Sequence, residues 1–347
     1  MGREASETVS AISSDTRFCS LCAREAGLDP IGSADSYRHL LAVEIPLPWP
    51  LAMYERPGPL PEELIELRRR QIEAYYQGQT LSMTAFAIAP DAAYSQPGMR
   101  RVLSFRRPEG AFAAFAREEY LAPEAELGPL CWALLFDHDR LPDFARYRLP
   151  DTGTRDLMVC THGNVDAACA KFGFPLYRDL RRLADESGGR LRAWRVSHFG
   201  GHVFAPTLID MPEFRYWAYV DRETAELLAT RRGDIARLRG CYRGWAGLES
   251  PLLQAAEREL LLRFGWAWLG YLKQGKILAQ GEATASGEPA WAEVRIDYAA
   301  PDGRCRGTCL ARVELERHIA TPHSSNSPET YPYPQYTVAW LRDTQPE

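Results

Sequence analysis

Residues 156–169 read DLMVCTHGNVDAAC, and residues 190–202 read RLRAWRVSHFGGH. The first is an apolar run ending on Cys160, followed by a polar loop. A helical pattern then runs over roughly 170–186, with Phe172, Leu176, Leu180 and Leu183 on one face and Gly188-Gly189 as its stop. The second is a strand in which His198 shares a face with Trp194 and Val196. Strand, helix and strand in this order make a crossover between two parallel strands. Both strands then end at one edge of the sheet, where open α/β sheets bind ligands. The pattern therefore brings Cys160 near His198, with Cys169 close by in the chain and His202 four residues beyond His198.

The pair Gly200-Gly201 selects the local geometry. On a helix His198 and His202 would share a face, but two interior glycines cost about 1 kcal/mol each relative to Ala. A loop is predicted instead, in which positive φ at the glycines folds the chain back so that both imidazoles converge. Gly163 is read in the same way, as the turn after Cys160. Two thiols and two imidazoles suit zinc or an iron–sulfur centre. Tetrahedral Cys₂His₂ is common for zinc, whereas the wide spacing from Cys160 to Cys169 suits a cluster served from two sides. The residues alone leave zinc, iron–sulfur and no metal open. Around them, His162 is a further ligand, a partner of one, or a loop hydrogen-bonder. Asp166 caps the next helix or accepts from a ligand imidazole. Ser197 either donates to a cluster sulfur or is an exposed loop hydroxyl without a role.

Working outward, strands are expected at 207–210 and 214–220 and a helix at 222–232. Pro206, just before a strand, is expected to be cis. Residues 151–239 thus match a thioredoxin-like layout. An N-terminal α/β region (36–150) precedes it, with strands at 40–50, 81–89 and 101–105. Its helix starts at Pro61, with Glu62 and Glu63 at the positive end of the dipole and Leu64, Leu67, Ile72, Tyr75 and Tyr76 as a buried stripe. A second helix is expected near 110–118. A polar lead covers 1–35. A C-terminal α+β extension covers 240–320, with a helix at 250–265 capped by Ser250 and strands at 291–298 and 308–316. The Pro/Ser/Tyr-rich tail, 321–347, is expected to be extended or mobile. No internal repeat is visible. The class is α/β.

Bulk properties exclude several functions. A net charge of −5 with both signs interspersed lacks the basic footprint of a nucleic-acid binder. No apolar run is long enough to span a membrane. The start carries no secretory h-region, although Gly2 and Ser6 fit the short and common N-myristoylation pattern. The eight cysteines are therefore read as thiols or metal ligands in a cytoplasmic protein rather than as disulfides. Cys19-x₂-Cys22 and Cys305-x₃-Cys309 are read as thiols unrelated to the site, and Cys131 and Cys241 as packing residues. There is no nucleophile elbow, Walker loop or dinucleotide fingerprint. No carboxylate pair marks a glycosidase.

The pattern C-T-H-G-x-x-D-x-x-C-A-x-x-G (160–173), followed by W-x-x-S-H-x-G-G-H-x-F-A (194–205), resembles the sucrase/ferredoxin-like family of thioredoxin-fold 2Fe–2S ferredoxins. Gly32-Ser33-Ala34, the run VEIPLPWP (43–50), Arg243-Gly244 and Gln254-Ala255-Ala256-Glu257 resemble it too. The resemblance implies a 2Fe–2S cluster held by Cys160, Cys169, His198 and His202. Where the family often has a double cysteine, this chain has Ala168 and then Cys169. The function it implies is electron transfer, with proton coupling through the imidazoles and an unidentified redox partner protein, rather than catalysis on a substrate. The alternatives are a structural zinc protein and a thioredoxin-type thiol oxidoreductase using Cys160.

Overall fold

A computed structural model describes residues 17–56 and 58–344. Gly2 and Ser6, the acylation pattern noted above, lie outside the described residues. In chain order the elements are α1 (Cys19–Glu25), β1 (His39–Glu44), α2 (Glu62–Tyr76), β2 (Met83–Ile88), β3 (Met99–Arg106), β4 (Ala116–Pro123), α3 (Leu127–Leu135), β5 (Arg148–Leu149), β6 (Arg155–Cys160), α4 (Ala167–Asp185) and β7 (Leu191–Val196). They continue with β8 (Leu208–Met211), β9 (Arg215–Trp217), α5 (Arg222–Thr230), β10 (Tyr242–Trp245), α6 (Pro251–Phe264), β11 (Leu272–Gln280), β12 (Trp291–Ala299), β13 (Arg306–Pro322) and β14 (Thr330–Thr344).

The first ten strands form one mixed sheet, ordered β10-β9-β8-β6-β7-β2-β1-β3-β4-β5. β6 and β7 are parallel, with Cys160 opposite Val196, and β8 runs antiparallel to β6. The α/β class holds. The order β7-β6-β8-β9 is matched by β2-β1-β3-β4 in the first half, again with one parallel pair followed by antiparallel partners. A helix joins the parallel strands in both halves, and another follows the fourth strand. The chain thus repeats a β-α-β-β-β-α unit that its sequence does not display. The two units meet edge to edge, where Ile88 faces Val196.

Alternation along the strands explains the layering. Leu41, Val43, Ala85 and Ala87 face a core built with Leu64 and Leu67 of α2 and Leu130 and Leu134 of α3. Leu40, Ala42, Phe86 and Ile88 face the larger core shared with the second unit. β12 alternates strictly, and Ala292, Val294 and Ile296 join that core beside α6. Ser250 caps α6 through Leu252 N–H, with Pro251 in its first turn, as expected. Both Ala205-Pro206 and Met211-Pro212 are cis.

Two expectations change and a third is narrowed. The buried stripe of α2 stops at Leu67, because Ile72, Tyr75 and Tyr76 are 37%, 77% and 82% exposed. Of this helix only Leu64 and Leu67 are buried in the core it packs on. Residues 110–115 are not helical. Phe112 pairs with the Lys273 backbone and Phe115 N–H bonds to Pro212 carbonyl, so tertiary hydrogen bonds replace helical ones. Of the two expectations for the tail, the extended one holds over the described residues: β14 pairs with β13 along its length, from Pro322–Thr330 to Thr308–Thr344.

No helix among the described residues is long and apolar enough to cross a membrane.

Candidate metal centre

The crossover delivers its side chains to one sheet edge. Cys160 is the last residue of β6, His198 lies two residues past β7, and Cys169 is in the first turn of α4. The Sγ atoms of Cys160 and Cys169 each lie 3.7 Å from His198 Nδ1. These three donors lie mutually within 4.8 Å. α4 can approach so closely because Gly173 has no Cβ; one would stand 2.0 Å from the Cys160 carbonyl oxygen. Asp166 caps the helix by accepting from Ala168 N–H at 2.8 Å.

His202 arrives through the predicted loop, with Gly200 and Gly201 at φ 86° and 77°. Its ring centroid is 5.5 Å from that of His198. Its Nδ1, however, faces a second group of donors: Cys19 Sγ at 3.5 Å and Asp166 Oδ2 at 3.6 Å. The four sequence-selected residues are therefore neighbours, but they split three and one. The loop rests on Arg243, whose guanidinium donates to Gly200 carbonyl at 3.3 Å and to Ser33 carbonyl at 2.6 Å. A Cβ on Gly201 would strike that guanidinium at 2.7 Å. Gly32 N–H bonds to Arg243 carbonyl, and Gln254 bonds to Ala34. The scattered segments 32–34, 243–244 and 254 thus build one footing under the histidine loop.

His162 is a loop hydrogen-bonder. Its Nε2 lies 3.0 Å from Trp49 carbonyl, which makes Nε2 the donor and leaves Nδ1 to accept from His198 N–H at 3.4 Å. It therefore steadies the His198 backbone. Ser197 is spent elsewhere: its Oγ pairs with Tyr54 OH at 2.9 Å and accepts from Ala87 N–H at 3.0 Å, locking the seam between the two units. The expected donation from Ser197 to a sulfur is replaced by this seam contact. Gly163 is not at positive φ; space is its role, since a Cβ would lie 2.8 Å from that of Ala170.

Burial opposes charge throughout. At Cys160 it is outweighed by the Cys169 S–H and the His198 imidazole, which hold that thiol well below the ordinary range. Cys169 is pushed well above, first by its hydrogen bond to the Cys160 sulfur and then by burial. Burial lowers His202 to about 4, against the opposing pull of the Asp166 carboxylate, so its imidazole is neutral near pH 7. Burial raises Cys19 to about 12.

A sucrase/ferredoxin-like family model matches residues 30–244. The chain belongs to the sucrase/ferredoxin-like family. No curated protein and no solved structure matches it. The family's stretch contains Cys160, Cys169, His198, His202 and the Ser33 and Arg243 parts of the footing, but not Gln254. It leaves out Cys19 and the β13–β14 turn, both of which touch the site.

Cys19 is the residue that sequence reading missed. It was grouped with Cys22 as unrelated, yet Cys22 turns toward Arg17 Nε while Cys19 faces His202. Among the described residues, Cys22, Cys305 and Cys309 join neither donor group. No spacing rule links positions 19, 166 and 202; only the fold does.

Proposed function

We propose that this chain is an electron carrier whose 2Fe–2S cluster is held by Cys160, Cys169, His198 and His202. The observation that carries the reading is the convergence of two sulfurs on His198 Nδ1 at 3.7 Å, with the His202 ring alongside, in a member of this family. The donor set fits the group: two buried thiols supply soft anionic ligands and two imidazoles supply neutral ones. Support for a thioredoxin-like unit comes from the order β7-β6-β8-β9 and the helices between β6 and β7 and after β9.

When bound, such a cluster takes up and releases one electron without breaking covalent bonds in a substrate. The chain's part is to hold and tune. Cys160 and Cys169 are fully shielded by α4 and β6, which keeps water from the sulfurs. Two imidazoles in place of two thiolates make the centre less negative, so its potential is expected above that of four-cysteine ferredoxins, as in Rieske centres (about −150 to +300 mV against about −400 mV). His202 keeps its Nδ1 toward Asp166 Oδ2, a carboxylate able to hold a proton donated there. A cluster held through the other ring nitrogen would leave Nδ1 to gain or lose a proton as the centre's charge changed.

Anaerobic purification with iron, sulfide and zinc analysis tests this. The expected protein is red-brown, with iron and acid-labile sulfide in equal amounts and a potential that falls as pH rises. A potential flat from about pH 5 to 10 removes the coupling. The compact trio Cys160–Cys169–His198 also favours a second reading, a single zinc ion held for structure. Stoichiometric zinc in a colourless protein selects it. A thiol-oxidoreductase reading meets the obstacle that Cys160 is only 1% exposed.

A further inference from the structure

We propose that Cys19 is a third thiol ligand of this centre, placed to take metal in the stead of His202. The inference rests on the metal-centre reading above and extends its donor set beyond the family's stretch. Cys19, Asp166 and His202 form a three-donor group of their own, mutually within 4.8 Å. It adjoins the Cys160–Cys169–His198 group through the two histidine rings.

A cysteine that only fills space is surrounded by apolar atoms. Cys19 is 0% exposed and packs against Phe18, Ala168 and Ala205 on one side. Its sulfur, however, points at an imidazole, a carboxylate and a hydroxyl: His202 Nδ1 at 3.5 Å, Asp166 Oδ1 at 3.7 Å and Ser325 Oγ at 3.6 Å. Three separate pieces of chain hold it there. Ser325, in the β13–β14 turn, donates to both Asp166 oxygens, from Oγ at 2.6 Å and from N–H at 2.8 Å. The same hydroxyl accepts from Cys19 N–H at 3.3 Å. Asn326 and Arg17 then exchange hydrogen bonds of 2.9 and 2.8 Å across the turn, clamping the start of α1. A C-terminal hairpin thus pins an N-terminal cysteine beside a proposed ligand.

The exchange is a ligand substitution. A metal–nitrogen bond to His202 breaks, a metal–sulfur bond to Cys19 forms, the thiol proton leaves to water, and no electron changes hands. Thiolate in place of imidazole makes the centre more electron-rich, so its potential falls.

The test compares wild type, His202→Ala and His202→Ala/Cys19→Ser after identical anaerobic loading with iron and sulfide. The expected result is that His202→Ala keeps most of the wild-type metal at a lower potential, while the double variant loses metal ~10-fold. Equal metal and equal potential in the two variants overturns the proposal, as does a His202→Ala protein as empty as the double variant. Should the double variant fail to fold, pulsed EPR on His202→Ala alone decides. One histidine nitrogen coupling with a lowered potential supports Cys19 ligation; one coupling with an unchanged potential overturns it. Metal analysis of the wild type separates this from failure of the cluster reading. Zinc in place of iron ends that reading, and the same variants are then read by zinc content with the same two outcomes. A wild type that binds neither metal overturns both.

Discussion

The two β-α-β-β-β-α units share strand order and polarity but differ in the connection after their first strand. In the second unit six residues, 161–166, join β6 to α4; in the first, seventeen residues, 45–61, join β1 to α2. The short link turns the first helical turn back onto the strand end, so Cys169 meets Cys160. The long, proline-rich link leaves its own strand end and crosses to the neighbour. There Trp49 carbonyl receives His162 Nε2 and Asn164 Nδ2, and Tyr54 OH meets Ser197. At the position of Cys160 the first unit has Glu44, the last residue of β1, buried and pushed up by that burial. One unit holds the donors while the other supplies the wall around them. A repeated fold therefore does not imply a repeated site, because a site at a strand end depends on how tightly the next loop returns.

The sharpest way to break this comparison is to exchange the strand-end residues' chemistry. Cys160→Ser is expected to lower metal content at least ~10-fold, whereas Glu44→Gln leaves it at the wild-type level. Loss of metal in the Glu44 variant would show that the first unit is part of the centre. A second test concerns the charges that tie the units together. Asp156 in β6 accepts from Arg192 Nε at 2.7 Å, Trp194 Nε1 at 2.8 Å and Arg117 Nε of β4 at 3.3 Å. Glu119 of β4 receives Arg192 in turn, together with Arg101 and Arg117. Asp156→Asn leaves buried guanidinium charge undercompensated and should cost about 3–4 kcal/mol in urea unfolding. A cost near zero would mean that the units stand without this bridge.

Smaller effects separate the units by pH and by capping. His39, at the start of β1, lies 2.8 Å from Ser104 Oγ and is lowered by burial to about 4. The unfolded chain binds that proton near pH 6.5, the folded chain only near 4. Stability from this group is thus complete above about pH 6.5 and is lost as pH falls toward 4, by roughly 3 kcal/mol at most. Unfolding of wild type and His39→Gln at several pH values between those limits should show a flatter slope in the variant; equal slopes would contradict it. Least in size, Asp221 caps α5 by accepting from Thr224 N–H at 2.9 Å, while α2 starts at Pro61 without a side-chain cap. Asp221→Ala should cost about 1 kcal/mol, and Pro61→Ala correspondingly little.

Much of the centre was legible because it is local. Cys160 ends one strand and His198 lies two residues past the next, with one helix joining the two strands, and the Gly200-Gly201 pair dictates a turn whatever surrounds it. The footing under that turn was legible only as scattered motifs at 32–34, 243–244 and 254. Their common purpose appears once Arg243 is seen bonding Ser33 and Gly200. The non-helical 110–115 segment and the exposed Tyr75–Tyr76 pair were misread for the same reason: periodicity reports an apolar face but not whether anything lies opposite it.

Taken alone, the amino-acid order settled the α/β class, the crossover from Cys160 to His198 and the glycine turn before His202, since each depends on contacts within a few dozen residues. The tertiary structure decided that the first half repeats the second, that the final strands clasp α1, and that Cys19 reaches His202. Those outcomes join residues as many as 309 positions apart, as between Arg17 and Asn326. Hydrophobic burial is non-directional, so apolar periodicity marks which face of an element is buried but not what covers it, and such meetings are set by how the layers pack.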